Sequence, residues 1–298
     1  MTVLGVLTPL RLRDRVFDAA HPAVMAIVNR TPDSFYSPAR FTDPGEALAR
    51  IDRVVADGAD VVDIGGVRAG QQGPWVDADE EIDRVRPVLE ETRRRHPEIL
   101  LSLDTWRSEV AHACDGLVDL VNDTWQGNDP TLVTTAAEQG ASYVVSHTGG
   151  LPPRTDPVHV HYGDDSDEAV LEAVRSGLAQ GAATALAAGL EPEQVLLDPT
   201  LDFGKNTEHS LSLVRQTGEL TRLGFPLMMA ISRKDFVGET LDLPVPERLE
   251  GSLAATAIAA WFGAVLFRTH DVLATRRVVD MVASIRGDRP PLVRERGL

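Results

Sequence analysis

Short apolar runs recur along the chain, each closed by turn residues and a polar side chain. Eight stand out: VMAIVN (24–29), DVVDIG (60–65), LLSLD (100–104), LVDLVND (117–123), SYVVSH (142–147), QVLLDP (194–199), PLMMAIS (226–232) and AVLFRTHD (264–271). Rich in Val, Ile and Leu, they predict buried strands. Between them the pattern changes to a helical period. PGEALARIDRVVADG (44–58) places Ala47, Ile51, Val54 and Val55 on one face. DADEEIDRVRPVLEETRRR (77–95) opens with acids and closes with arginines, which suits a helix dipole. DDSDEAVLEAVRSGLAQGAATALAAG (164–189) and PERLEGSLAATAIAAWFG (246–263) predict two more helices.

Strict alternation of strand and helix implies parallel strands joined by right-handed crossovers. Eight such units in 298 residues predict an α/β fold, a (β/α)8 TIM barrel in one domain spanning 1–298. Residues 1–22 read as an N-terminal extension and 287–298 as an extended tail. An open doubly wound sheet is the alternative. It should carry a glycine-rich turn after its first strand, whereas NRTPDSFY (29–36) holds no glycine.

The runs end in Asn29, Asp63, Asp104, Asn122, His147, Asp198, Ser232 and Arg268. A barrel gathers such residues at the C-terminal mouth, where active sites form. One strand-end Asp or Asn could merely cap a turn. Eight together, with Arg and His among them, predict a charged cavity.

Composition narrows the function classes. The formal net charge of −16 argues against a nucleic-acid or anionic-membrane binder. No apolar run is long enough to span a bilayer, and MTVLGVLTPLRLRDRVFDAAHP does not read as a signal peptide. The one cysteine, Cys114, excludes an intramolecular disulfide and fits a cytoplasmic setting. It reads as a packed apolar residue rather than a nucleophile. Of the 29 cations only two are lysine, Lys205 and Lys234, and both lie in the motifs described next.

Four motifs go beyond a generic barrel: NRTPDSF (29–35), DTWRSEVA (104–111) with ND (122–123), DPTLDFGKN (198–206), and AISRKDFVGE (230–239) with FRTHD (267–271). In this order and spacing the chain resembles the dihydropteroate synthase family from about residue 24 to 285. A pterin ring presents guanidine-like and lactam edges, which carboxylates and carboxamides match bidentately. Asp104, Asn122 and Asp198 supply these groups from three strands. The resemblance assigns them to the pterin, together with Lys234 and an aromatic at Phe203. It places Asn29, Arg268 and His270 at the diphosphate, with Asn29 at a Mg²⁺ ion, and makes Lys234, Arg268 and His270 the catalytic set. Ser232 and Arg68 fall on the aminobenzoate side. The implied reaction joins a dihydropterin-methyl diphosphate to 4-aminobenzoate, with the diphosphate as leaving group.

Two loops depart from the family. Where it reads G-G-E-S-T-R-P-G, this chain reads GGVRAGQQGPW (65–75), with Val67 in place of the glutamate. Where it reads N-V-T-P-D-S-F-S-D-G-G, this chain has NRTPDSFYSPARF, with Arg30 and Tyr36-Ser37-Pro38 as the changes. HTGG (147–150) replaces a usual His-Met-Arg-Gly. The pattern resembles a divergent second group of synthase paralogues. Two readings follow: a working synthase, or a catalytically inactive or repurposed paralogue that keeps the pterin pocket. A pterin-dependent methyltransferase is a third, disfavoured because the SRK motif belongs to the synthases. The helix within 247–262 is apolar nearly all round, which predicts a homodimer through the last two helices. Trp75 and Trp125 lie near the expected mouth.

Overall fold

The computed structural model describes residues 7–30, 44–70 and 73–296. The altered stretch at 31–43, including Tyr36-Ser37-Pro38, lies outside the described residues, as do Gln71 and Gln72.

A small antiparallel hairpin comes first, β1 (Leu10–Leu12) and β2 (Arg15–Phe17). Eight parallel strands follow: β3 (Ala23–Asn29), β4 (Val61–Gly65), β5 (Leu100–Asp104), β6 (Leu120–Asn122), β7 (Ser142–Ser146), β8 (Val195–Asp198), β9 (Met228–Ala230) and β10 (Leu266–Thr269). They pair in the order β8-β7-β6-β5-β4-β3-β10-β9. The two ends of that order meet where Leu197 donates its N–H to the Pro226 carbonyl at 2.9 Å and bridges to Leu227. The barrel expected from the alternating pattern is therefore present, as a single domain.

The helices lie outside it: α1 (Pro44–Ala56), α2 (Ala78–Arg95), α3 (Ser108–Ala113), α4 (Leu132–Glu138), α5 (Asp167–Ala187), α6 (Thr207–Arg215), α7 (Thr217–Thr221), α8 (Asp235–Leu241), α9 (Leu249–Trp261) and α10 (Val272–Arg286). Asp77, Ser166 and Asn206 cap α2, α5 and α6, each side chain accepting a first-turn N–H. Strand parity separates two cores. Val24, Val62, Leu101, Val121, Tyr143, Leu197, Met229 and Phe267 face the helices. Met25, Val61, Leu100, Leu120, Val144, Leu196, Met228 and Leu266 fill the barrel.

Leu10, Leu12 and Phe17 join that inner layer, so the hairpin plugs the barrel end opposite the strand C-termini. The segment set aside as an N-terminal extension thus supplies part of the core. Cys114 is fully buried, and burial pushes its thiol up to about 12, which removes it as a nucleophile. At the other end of the chain, Ile258 and Trp261 of α9 and Leu273, Met281 and Ile285 of α10 leave an exposed apolar face. Residues 290–296 are exposed and outside any helix or strand. Among the described residues, no helix is long and apolar enough to cross a membrane.

Candidate active site

Alternation along each strand decides which side chains enter the mouth. In β4, Val61 faces inward, so Asp63 does too. The same parity carries Asp104 on β5, Asn122 on β6, Asp198 on β8 and Arg268 on β10 into the barrel.

Asp63 is fully buried and joins four strands. Its carboxylate accepts from Ser102 Oγ at 2.6 Å, from Asn122 Nδ2 at 3.2 Å and from Arg268 Nε at 2.7 Å. Arg268 reaches Asp104 through Nη2 at 2.6 Å, and Thr124 donates to the other Asp104 oxygen at 3.1 Å. Two guanidinium nitrogens assigned by resemblance to the diphosphate are thus directed at carboxylates. Asp104 rises to about 7, chiefly from burial, with nearby Asp63 adding to the rise and Arg268 opposing it. Asp63 was recognised in the sequence only as a strand end. The signal for more was a carboxylate inside an apolar strand, which burial forces to find a cation.

Asp198 is buried, and burial raises its carboxyl while Lys234 pulls it back down. Lys234 sits at the N-terminal cap of α8 and donates to the Leu201 carbonyl. Its ammonium lies 5.0 Å from the centre of the Phe203 ring, a cation–π contact. Burial lowers the lysine, and Asp202, Asp198 and Asp156 oppose that shift. Trp125, itself buried, meets Phe203 edge-on at 5.5 Å, which answers for one of the two tryptophans. Trp75 is 70% exposed.

The turn before Lys234 depends on Arg233, a residue sequence reasoning passed over. Arg233 adopts a left-handed conformation at φ 57°. It grips Asp271 bidentately at 2.8 and 2.9 Å and donates to the Val245 and Pro246 carbonyls. A strained residue held by this many partners fixes the side chain that follows it. The loop after β8 is strained likewise, with Thr200 at φ 51° and Asp202 at φ 71°.

On the diphosphate side, Ser232 Oγ lies 3.2 Å from His270 Nδ1 and accepts the His270 N–H at 3.1 Å. Burial, then the Arg268 charge, lowers His270 to about 3. Asn29 stands at the top of β3, and its amide oxygen would be 3.5 Å from a Cβ built on Gly65. Arg68 lies beside Gly70, near the carboxylate of Asp156.

Two sequence expectations are corrected. His147 does not enter the mouth. It shares the parity of Tyr143 and Val145, which face the helices, and its ring packs between Gly177 of α5 and Tyr162. Burial lowers it to about 3. Lys205 does not mark the pocket either. Its buried ammonium donates to the carbonyls of His147, Thr200 and Phe203 at 2.7, 3.3 and 2.9 Å. It is a brace for the loop that carries Phe203.

The rewritten loop after β4 is tied down from outside the barrel. Gly70 bridges to Asp156. Arg154 donates to the Pro74 and Gly73 carbonyls at 2.8 and 3.4 Å. Arg107 pairs with buried Glu81 and donates to the Val76 carbonyl at 2.7 Å, and the Trp75 ring lies within 6 Å of both guanidinium groups. Arg30, buried, donates to the Arg84 carbonyl at 3.1 Å.

A closed parallel barrel here gathers acids, an amide, a lysine and an arginine at its C-terminal mouth, where barrels of this kind build their small-molecule sites. Residues 25–270 match the family described as pterin binding enzyme, and the chain belongs to that family, within its dihydropteroate synthase branch. It is 53% identical over 277 residues to the inactive dihydropteroate synthase 2 of Mycobacterium leprae, covering 92% of this chain and 94% of that one. It is 33% identical over 276 residues to the dihydropteroate synthase of Escherichia coli K12, covering 91% and 95%. The dihydropteroate synthase of Coxiella burnetii, solved in complex with pteroic acid, superposes with a TM-score of 0.81 at 31% identity, covering 93% of this chain and 98% of that one.

Proposed function

We propose that this protein is a dihydropteroate synthase paralogue that keeps a pterin-recognising floor and does not carry out the ordinary synthase reaction. One contrast carries the reading. The floor presents an intact, charge-matched set, while the loop after β4 has a different sequence and is tied to its neighbours by Arg154 and Arg107. The 53% identity to a relative named inactive supports it.

In this reading Asp104, Asn122, Asp198 and Lys234 take the pterin edges and Phe203 takes its face. Asn29, Arg268 and His270 take the diphosphate end, and Ser232 and Arg68 border the altered acceptor side. Asn29 offers a neutral oxygen donor, which fits Mg²⁺ in company with phosphate oxygens and water. Such an ion would neutralise charge on the diphosphate. Lys234, Arg268 and His270 orient the ligand, beside the Asp104 carboxyl that burial raises.

Calorimetry with a hydroxymethyl-dihydropterin and its diphosphate, with and without Mg²⁺, tests binding. A steady-state assay with 4-aminobenzoate tests turnover against a Lys234→Ala control. Binding without turnover above that control is expected. Product formation at an ordinary synthase rate would overturn the reading and favour a working synthase.

The exposed face made by Ile258, Trp261, Met281 and Ile285 supports a homodimer through α9 and α10. Light scattering that gives only monomer mass at micromolar concentration would remove that part. The buried, unpaired Cys114 supports a cytoplasmic, reducing location.

A further inference from the structure

Outside the mouth, a second group of side chains gathers around Tyr162. Four of the chain's 8 histidines are in it: His147, His159, His161 and His209. His159 and His161 lie ring to ring at 4.5 Å, and His159 and His209 at 5.2 Å. His161 Nδ1 contacts Asp165 Oδ2 at 2.6 Å, and His209 Nε2 stands 3.7 Å from Asp165 Oδ1. Donor atoms of His159, His161 and Asp165 all fall within 4.8 Å of one another.

His209 is the independent observation. It is 2% exposed, yet neither ring nitrogen has a hydrogen-bond partner. A buried imidazole left so is costly, and a histidine–carboxylate surface pair does not account for it. Its Nε2 is directed at the same carboxylate that His161 holds.

We propose that His159, His161, Asp165 and His209 bind one divalent transition-metal ion of the zinc class. Three imidazoles and a carboxylate are the donor set of a four-coordinate Zn²⁺ site and a poor one for Mg²⁺. With bonds of about 2.0–2.1 Å, tetrahedral donors lie about 3.4 Å apart. Side-chain rotation of exposed His159 and His161 closes the remaining distance, and their exposure provides the entry path.

The site would clamp a functional loop. Val160 donates to the Gly204 carbonyl at 3.0 Å, His159 bridges to Gly204, and Tyr162 Oη donates to the same carbonyl at 3.1 Å. Gly204 follows Phe203 directly, and His209 lies in α6 just beyond. A bound ion therefore ties the segment 159–165 to the loop that carries Phe203. This inference does not depend on the pterin reading.

The test uses the untagged full chain, stripped with a chelator and dialysed. Co²⁺ titration followed by visible absorption, and Zn²⁺ titration by calorimetry, report site geometry and stoichiometry. The expected result is one ion per chain with micromolar or tighter affinity, four-coordinate Co²⁺ bands, no competition from excess Mg²⁺, and a higher Tm with Zn²⁺. The double variant His159→Asn/His161→Asn, at exposed positions, should weaken Zn²⁺ binding at least about 100-fold. His209→Gln should do the same, and His96→Asn, at the separate pair with Asp52, should change nothing. No uptake by the unmodified chain, or uptake that survives the double variant, overturns the proposal.

Discussion

The floor of the barrel mouth and its rim are held together by different chemistry. On the floor, charged side chains on adjacent or nearby strands bind one another. Asp63 takes Ser102, Asn122 and Arg268, and Arg268 takes Asp104. On the rim, arginines mainly bind backbone carbonyls: Arg154 holds Gly73 and Pro74, Arg30 holds Arg84, and Arg107 holds Val76 while also pairing with buried Glu81. A carboxylate–guanidinium network demands particular residue types at particular positions. A carbonyl accepts from any donor and is present whatever the side chain. The floor therefore tolerates little change in sequence, whereas the rim can be rewritten and refastened. That difference accounts for a chain whose strand-end groups match the synthase motifs while its loop after β4 does not.

Removing Asp63 should break the floor most severely. Asp63→Ala leaves Arg268 with Asp104 as its remaining partner at the barrel centre. Truncating one member of a buried ion pair costs about 3–5 kcal/mol. Urea unfolding should show a loss of that size, together with loss of pterin binding. A change below about 1 kcal/mol, the size typical of exposed ion pairs, would mean that the floor is not a coupled network.

The two lysines give the next sharpest contrast. Lys205→Met strips donors from three carbonyls and should lower stability by about 2–3 kcal/mol, reduced from the sum of the lost bonds because a buried charge is also removed. Lys234→Met should cost less stability and weaken pterin affinity by at least about tenfold, the equivalent of one charged hydrogen bond. Calorimetry and unfolding on both variants check the division. If Lys205→Met loses ligand affinity while unfolding normally, the brace assignment fails.

Much of the floor was legible because a strand's period of two fixes which residues face inward. Once Val61 and Leu266 are inside, Asp63 and Arg268 follow. The same rule, applied strictly, would have kept His147 out of the mouth, since it follows Val145 by two and that residue faces α5. The error came from reading strand ends as a class and ignoring their parity. Lys205 misled for another reason. Its motif neighbours include the strand-end Asp198 and Phe203, but a lysine in a tight loop can equally serve the loop's own carbonyls, and local sequence does not separate the two uses. The rim was illegible because its ties are long-range: Arg154 holds Pro74 across 80 positions, and no local pattern encodes that pairing.

His147 offers a pH test that leaves the floor untouched. Burial lowers it to about 3 in the folded protein, while an unfolded histidine titrates near about 6.5. Between these values the unfolded chain binds more protons than the folded one, so this residue's contribution to stability is lost as pH falls from about 6.5 toward 3. Between pH 7 and pH 5 the loss should be about 2 kcal/mol. His147→Phe keeps a ring against Tyr162 and should flatten that part of the profile. The remaining slope belongs to groups such as His270, which is shifted the same way. An unchanged difference between pH 7 and pH 5 would show that burial does not lower His147 in the folded protein.

The smallest effect is expected on the rim. Arg154→Ala removes two donors to the Gly73 and Pro74 carbonyls, together with a guanidinium near the exposed Trp75 ring. Water can reach parts of this loop, so the cost should be only about 1 kcal/mol, below that of any floor substitution. The variant should bind pterin as the unmodified chain does, because the bonds that Arg154 makes to residues 73 and 74 lie on the loop after β4 and not on the floor. It should also increase hydrogen exchange at residues 73–76. Loss of pterin affinity in Arg154→Ala would erase the division between floor and rim, since it would show that the refastened loop shapes the pterin pocket as well as the acceptor side.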